Sequence, residues 1–302
     1  MTVTTRPRRS ALYVPGSNER ALEKAASVPA DVIILDLEDS VAPDAKNQAR
    51  DAVAEKVNDL IQGRREIVVR VNGLDTPWIA RDLAAMAAVQ PDAVLVPKVS
   101  RTEDIRRIRA AISAAGAPRH LHLWAMIETP TAVLNAADIA AIAAMPSPAL
   151  TCFVLGTNDL AAELKATILP GREALTPHIA SVLVAARAHG LAILDGTFND
   201  IGDDEGLRVE CNQGRLLGMD GKTLIHPVQV NIANRAMAPS KQEIAWAQRV
   251  VEAFAAPDNS SRNVIKVAGR MVERLHERAA RRTLDIVEAI DAMEDEFQTA
   301  DS

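Results

Sequence analysis

Aromatic residues, cysteines and long apolar runs are all scarce in this chain, and each scarcity narrows what it can be. Phe, Trp and Tyr make up only 3% of 302 residues, which leaves Val, Ile, Leu and Ala to build the core. The cysteines, Cys152 and Cys211, fall in a predicted strand and a predicted helix. That suits buried reduced thiols, whereas a disulfide framework or a zinc site needs more sulfur ligands. No apolar run approaches the ~20 residues of a membrane span. The basic start, Arg6 with Arg8 and Arg9, leads into a strand pattern rather than a cleavable apolar segment. A cytoplasmic location with no membrane partner is therefore expected. The net charge of −6 also argues against nucleic acid as a partner. Basic residues do gather locally, at Arg6, Arg8, Arg9, Arg20 and Lys24, where either a solvated face or a phosphate-neutralising cluster accounts for them.

What the chain does have is alternation. Short runs rich in Val, Ile and Leu, bounded by turn residues, predict strands at Ser10 to Val14, Asp31 to Leu37, Glu66 to Val71, Ala93 to Val96, His122 to Ile127, Cys152 to Leu155, Leu191 to Leu194 and Thr223 to Ile225. Alanine-rich helical patterns lie between them, such as Arg81 to Val89, Ile105 to Ala114, Ala132 to Ala144 and Ile179 to Arg187. Strand and helix in turn mean parallel strands covered on both faces, the α/β class. Eight such units in roughly 230 residues, near the usual size of about 250, predict a closed (β/α)8 TIM barrel.

The segment Ser240 to Ala255, with Ser240 as cap and Glu243 in its first turn, reads as the eighth outer helix. The turn-rich stretch after Ala256 marks a boundary. The expected division is a barrel domain over residues 1–256 and a C-terminal helical extension over 257–302, acting as a lid or in oligomerisation. In that extension, Val264 to Gly269 predicts a strand or turn and Arg270 to Met293 an amphipathic helix.

Nearly every predicted strand ends on polar or charged residues, and strand C-termini share the catalytic mouth of such a barrel. Glu128 and Asp159, after the fifth and sixth strands, can face one site. Two carboxylates without Cys or nearby His suit a hard divalent cation, Mg²⁺ above all. The competing reading makes both of them helix caps. Arg70 and Lys98 supply positive charge at the third and fourth strand ends, for a carboxylate, a developing enolate or a rim salt bridge. Asp36, Glu38 and Asp39 are too many for one metal, so at least one should pair with Arg70 or Lys46. His226 reads as structural, the later carboxylates of the 195–205 loop as helix caps, and Asp195 as a weak site candidate.

Taken together the motifs resemble the citrate lyase β-subunit-like proteins of the HpcH/HpaI aldolase superfamily, which act on acyl-coenzyme A thioesters. The matching stretches are Arg9-Ser-Ala-Leu-Tyr-Val-Pro-Gly-Ser17, Leu35-Asp-Leu-Glu-Asp-Ser40, Val69-Arg-Val-Asn-Gly73, Val96-Pro-Lys98, Ile127-Glu128-Thr129, Leu155-Gly-Thr-Asn-Asp-Leu160 and Gly218 to Gln229. The resemblance implies Mg²⁺, or Mn²⁺ as the alternative, on Glu128 and Asp159. It implies Arg70 facing the reacting group, a proton-handling carboxylate such as Asp36, and contacts to coenzyme A from Arg9, Ser10 and Lys24, with Lys98 as a further substrate contact. Relatives carry a tail Asp that reaches a neighbouring subunit; here Glu273 stands in that place. The implied activity is a lyase that cleaves a malyl-, methylmalyl- or citramalyl-coenzyme A reversibly to an acyl-coenzyme A and a 2-keto acid, in a homotrimer or hexamer. A malyl-coenzyme A thioesterase and a citrate lyase β subunit working on a carrier-bound acyl group are the alternatives.

Overall fold

A computed structural model describes residues 6–61, 63–116, 121–145 and 149–300, and the chain divides into two compact units, Arg8–Met237 and a second that joins the described residues before Arg8 to those from Ala238 on. In the first unit, eight parallel strands close into a barrel: β1 (Ser10–Pro15), β2 (Val32–Asp36), β3 (Glu66–Arg70), β4 (Ala93–Val96), β5 (His122–Ile127), β6 (Leu150–Leu155), β7 (Ala192–Asp195) and β8 (Gly221–Leu224). Pairing of Ser10 with Lys222 and of Ala11 with Thr223 closes the ring. The surrounding helices are α1 (Glu19–Lys24), α2 (Lys46–Leu60), α3 (Ile79–Val89), α4 (Thr102–Ala114), α5 (Pro130–Leu134), α6 (Ala136–Ala141), α7 (Thr157–Leu164), α8 (Thr176–Ala188), α9 (Asp204–Leu217) and α10 (Val230–Met237). No described helix is long and apolar enough to cross a membrane.

Strand alternation sorts the side chains. Inward residues such as Ala11, Ile34, Val68, Leu95, Trp124, Val154 and Leu194 fill the barrel, while outward residues such as Leu12, Ile33, Val69 and Phe153 pack under the helices. At the end where the strands begin, Arg8 closes the floor. Its guanidinium makes a two-pronged ion pair with Glu66, at 2.6 and 2.9 Å, and lies over Trp124. Gly221 admits this because any side chain there would collide with the Arg8 carbonyl.

Several elements differ from the sequence expectation. The helix after β8 is the short α10, which packs on α9, β1 and β8. Ser240 to Ala255 instead forms α11 (Lys241–Ala255), in the second unit. The stronger cap at Ser240, whose side chain and Glu243 bond each other's main-chain N–H, outshone an eight-residue helix with no such signal. The pattern from Ala132 to Ala144 is split at Asn135 into α5, α6 and a 3₁₀ turn.

The second unit has its own core. Ala247, Val250 and Phe254 of α11 meet Ile265 and Val267 of β9 (Val264–Val267), Val272 of β10 (Arg270–Glu273) and Ala280 of α12 (Arg274–Ala300). The final helix starts four residues later than its hydrophobic pattern suggests, because Arg270–Glu273 pairs antiparallel with β9. Ala268 and Gly269, both at positive φ, make the turn.

Candidate active site

A cavity of about 360 Å³ opens at the C-terminal ends of the strands, lined among others by Tyr13, Asp36, Asp39, Arg70, Met126, Gly156, Asp159, Thr197 and Asn199. Arg70 ends β3 pointing inward. Its Nε and Nη2 grip both oxygens of Asp36, each at 2.7 Å. Its Nη1 reaches Glu38 at 2.9 Å and Asp39 at 3.3 Å, and its plane stacks on Tyr13. Burial alone would raise the Asp36 carboxyl, yet the Arg70 charge and hydrogen bonds outweigh it and hold Asp36 below the usual carboxylate range.

The expected pairing of these acids with Arg70 is therefore present. The Asp36 oxygens also accept the N–H groups of Glu38 and Ser40. Lys46 pairs with none of the three acids by hydrogen bond; it donates to the Leu37 and Glu38 carbonyls.

Glu128 follows β5 and is almost wholly buried. Thr129, not Glu128, caps α5, and α7 has no side-chain cap although Asp159 sits in its first turn. The helix-cap reading therefore fails for both. Burial pushes the Glu128 carboxyl up to about 7; the Lys98 N–H, donating at 2.6 Å, opposes the rise, and the Asp159 charge adds to it. Burial likewise pushes Glu38 up to about 7 against the pull of Arg70, with Asp39 and Glu128 adding to the rise. Gly156 lies so close to Glu128 that a Cβ there would stand 2.4 Å from its Cβ and Oε2.

The donor set fits a hard cation. Asp36, Glu38 and Asp39 ion-pair with the Arg70 guanidinium, Glu128 feels the charges of both Asp159 and Arg70, and Asp159 makes no hydrogen bond or ion pair with any described residue. No group of three or more His, Cys, Asp or Glu suited to a metal occurs among the described residues. Glu128 and Asp159 would be its protein carboxylates, and a site of two leaves positions for substrate and water, as Mg²⁺ prefers. Because the cation needs Glu128 ionised and protons compete for it near pH 7, Mg²⁺ affinity measured by calorimetry should fall about tenfold from pH 8 to pH 6. A flat profile would mean that Glu128 is not a ligand.

The other expected residues are dispersed. Arg9 and Ser10 sit at the start of β1, about 16 Å along the strand from the mouth. There Arg9 is bound to Asp31 at 2.9 Å, and Ser10 Oγ accepts the Asp31 N–H. With Arg8 on Glu66, this breaks up the basic N-terminal cluster; Arg20 and Lys24 alone remain together, exposed one turn apart on α1. Lys98 borders a neighbouring cleft of about 400 Å³ with Glu38 and Arg101. Glu273 ends β10 in the second unit, its N–H donating to His276 Nδ1 at 2.9 Å.

Asp195 faces outward, behind the mouth, in a buried ionic network. Lys222, fully buried, reaches Asp195 at 3.3 Å, Glu210 at 2.6 Å and the Gly196 carbonyl at 2.6 Å, while Arg172 binds Asp195 and Gln213. His226 caps the turn after β8, and Asp203 caps α9, as expected. Both cysteines are free and buried. Sequence reasoning missed Tyr13, which alternation with Ala11 would have turned inward, and the amide pair Asn158 and Asn199, which bond each other at 3.1 and 2.9 Å across the rim.

Fold and site together define a (β/α)8 barrel with an acidic mouth built around one arginine. A family profile for HpcH/HpaI aldolase/citrate lyase matches residues 9–227, and the chain belongs to that family. It is 49% identical over 286 residues to a (3S)-malyl-CoA thioesterase of Cereibacter sphaeroides, covering 95% of this chain and 96% of the relative. It is 35% identical over 292 residues to an L-malyl-CoA/beta-methylmalyl-CoA lyase of the same species, covering 89% and 91%. Among solved structures, protein CitE from Mycobacterium tuberculosis in complex with magnesium, acetoacetate and coenzyme A superposes with a TM-score of 0.71 at 30% identity, covering 93% of this chain and 97% of that one.

Proposed function

We propose that this chain hydrolyses the thioester of a malyl-coenzyme A-type substrate at the barrel mouth, with Mg²⁺ or Mn²⁺ between Glu128 and Asp159. The mouth suits more than one reaction of such a thioester. What favours hydrolysis is whole-length likeness, 49% identity to a thioesterase against 35% to a lyase. The magnesium bound by CitE supports a divalent cation in the same fold.

In this reading Asp36 holds Arg70 rigid by two prongs, leaving Nη1 as the edge that meets the substrate. Asp39, largely exposed, is the partner that a substrate carboxylate or carbonyl displaces. A fixed guanidinium aimed at developing oxygen charge stabilises the transition state without reorganising. A bound divalent cation adds charge stabilisation and lowers the pKa of a water or hydroxyl. The apolar side of the cavity, Met126, Leu155 and Ile225, excludes water around the acyl chain. Lys24 with Arg20 is the proposed contact for coenzyme A phosphates, and Lys98 a further substrate contact. Glu273, supplied by a neighbouring copy in a trimer or hexamer, is the proposed proton-handling carboxylate.

A second reading is the carbon–carbon lyase, favoured by Arg70, which would equally stabilise a thioester enolate leaving group. Mass spectrometry of products from malyl-coenzyme A with Mg²⁺, and with EDTA as control, separates them. Free coenzyme A and malate are expected. Acetyl-coenzyme A with glyoxylate would make the protein a lyase, and turnover only of a carrier-bound acyl group would make it a citrate lyase-type subunit.

A further inference from the structure

Lys98 has a backbone conformation that its residue type disfavours. Its φ is +55°, in the left-handed region that favours glycine and, less strongly, asparagine. Gln90 and Lys165 share this value, but both terminate helices, where a left-handed residue is ordinary. Lys98 instead follows Pro97 in a tight turn directly after β4.

The geometry of such turns gives the conformation a consequence. Turns with a right-handed or a left-handed second central residue, types I and II, differ chiefly by a flip of the peptide between the two central residues. Here that peptide is Pro97–Lys98, and Pro97 suits the first central position of either type. The sign of φ at Lys98 therefore decides which way the Lys98 N–H points. It donates to Glu128 Oε1 at 2.6 Å. Gly156 lies against the other carboxylate oxygen, Oε2, with no room for a Cβ. The Lys98 side chain is exposed and makes no hydrogen bond or ion pair with any described residue.

We propose that the Pro97–Lys98 turn is the positioning element of the cation site: its flipped peptide holds the Glu128 carboxylate in one orientation toward Asp159. Lys98 thus acts on the cation through its main chain. This rests on the reading of Glu128 as a metal carboxylate.

The test is Mg²⁺ affinity of the purified full-length protein by titration calorimetry, in variants that separate backbone from ammonium. Lys98→Gly and Lys98→Asn both tolerate the left-handed region and keep the N–H, so their dissociation constants should stay within about threefold of the parent. Lys98→Val disfavours that region and should weaken binding by about 10-fold to 100-fold, the scale on which residues supporting metal ligands act. Gln90→Val imposes the same strain at a helix end and should lower the melting temperature without moving the Mg²⁺ constant. Glycine weakening binding as much as valine would overturn the proposal in favour of the ammonium, and valine binding like the parent would overturn it outright. A parent protein that binds neither Mg²⁺ nor Mn²⁺ would instead remove the metal reading itself.

Discussion

Glu128→Gln is expected to lose turnover by about 10³-fold, the scale of removing a principal electrostatic stabiliser, while making the metal-free protein more stable. Burial raises the folded pKa of Glu128 from 4.5 to about 7. Between those values the native state keeps a proton that the unfolded chain releases, so this residue's contribution to stability falls as pH rises from about 4.5 through 7. Above pH 7 the ionised carboxylate therefore costs the fold on the order of 3 kcal/mol, and the neutral amide removes that cost. Thermal unfolding at pH 8 in EDTA should show a higher midpoint for Glu128→Gln than for the parent. Adding Mg²⁺ should raise the parent midpoint by mass action and leave the variant unmoved. Asp159→Asn should lose turnover to a similar degree with little gain in stability, because Asp159 is exposed. Retained activity in either variant would defeat the metal assignment.

Lys222→Met carries the largest expected stability loss, about 3–5 kcal/mol, measured by urea denaturation. Lys222 is fully buried and its ammonium serves Asp195, Glu210 and the Gly196 carbonyl. Removing it strands negative charge away from water, which costs more than the pair contributed. Methionine keeps the unbranched apolar stem and loses only the terminal ammonium, which isolates the charge. The double variant Lys222→Met with Glu210→Gln leaves Arg172 and Asp195 as a neutral pair at 2.8 Å and should recover part of the loss, since these residues share one network. Equal losses in the single and double variants would show that packing around the side chain, and not charge, sets the cost.

Much of this was legible from the chain alone, for identifiable reasons. Strand positions follow from local apolar runs, and a closed barrel brings every strand end to one face whatever the loops do. That is why Arg70, Glu128 and Asp159 could be placed together from their positions alone. Among ion pairs, only that of Arg70 with the acids after the second strand was legible, because both lie at strand ends of one mouth; partners such as Arg8 and Glu66 lie 58 residues apart and no local pattern joins them. Basic residues near the N-terminus therefore looked like one cluster although Arg8 and Arg9 hold the floor. Asp36 shows the limit within the site: its position at a strand end and a pairing with Arg70 were readable, but not that Arg70 occupies both its oxygens. At Lys98 the side chain drew attention while the main chain makes the contact, and sequence patterns carry little about where an N–H points.

The side chains that fill the barrel, closed at the far end by Arg8 on Glu66 and Trp124, make the mouth a blind well. Under the proposed hydrolysis, a thioester entering acid end first would leave its nucleotide end nearest the opening, and both fragments would depart by the same door. Coenzyme A would then be the outer fragment and the hydroxy acid the inner one, so the proposal carries an order of release: the thiol first, the acid after it.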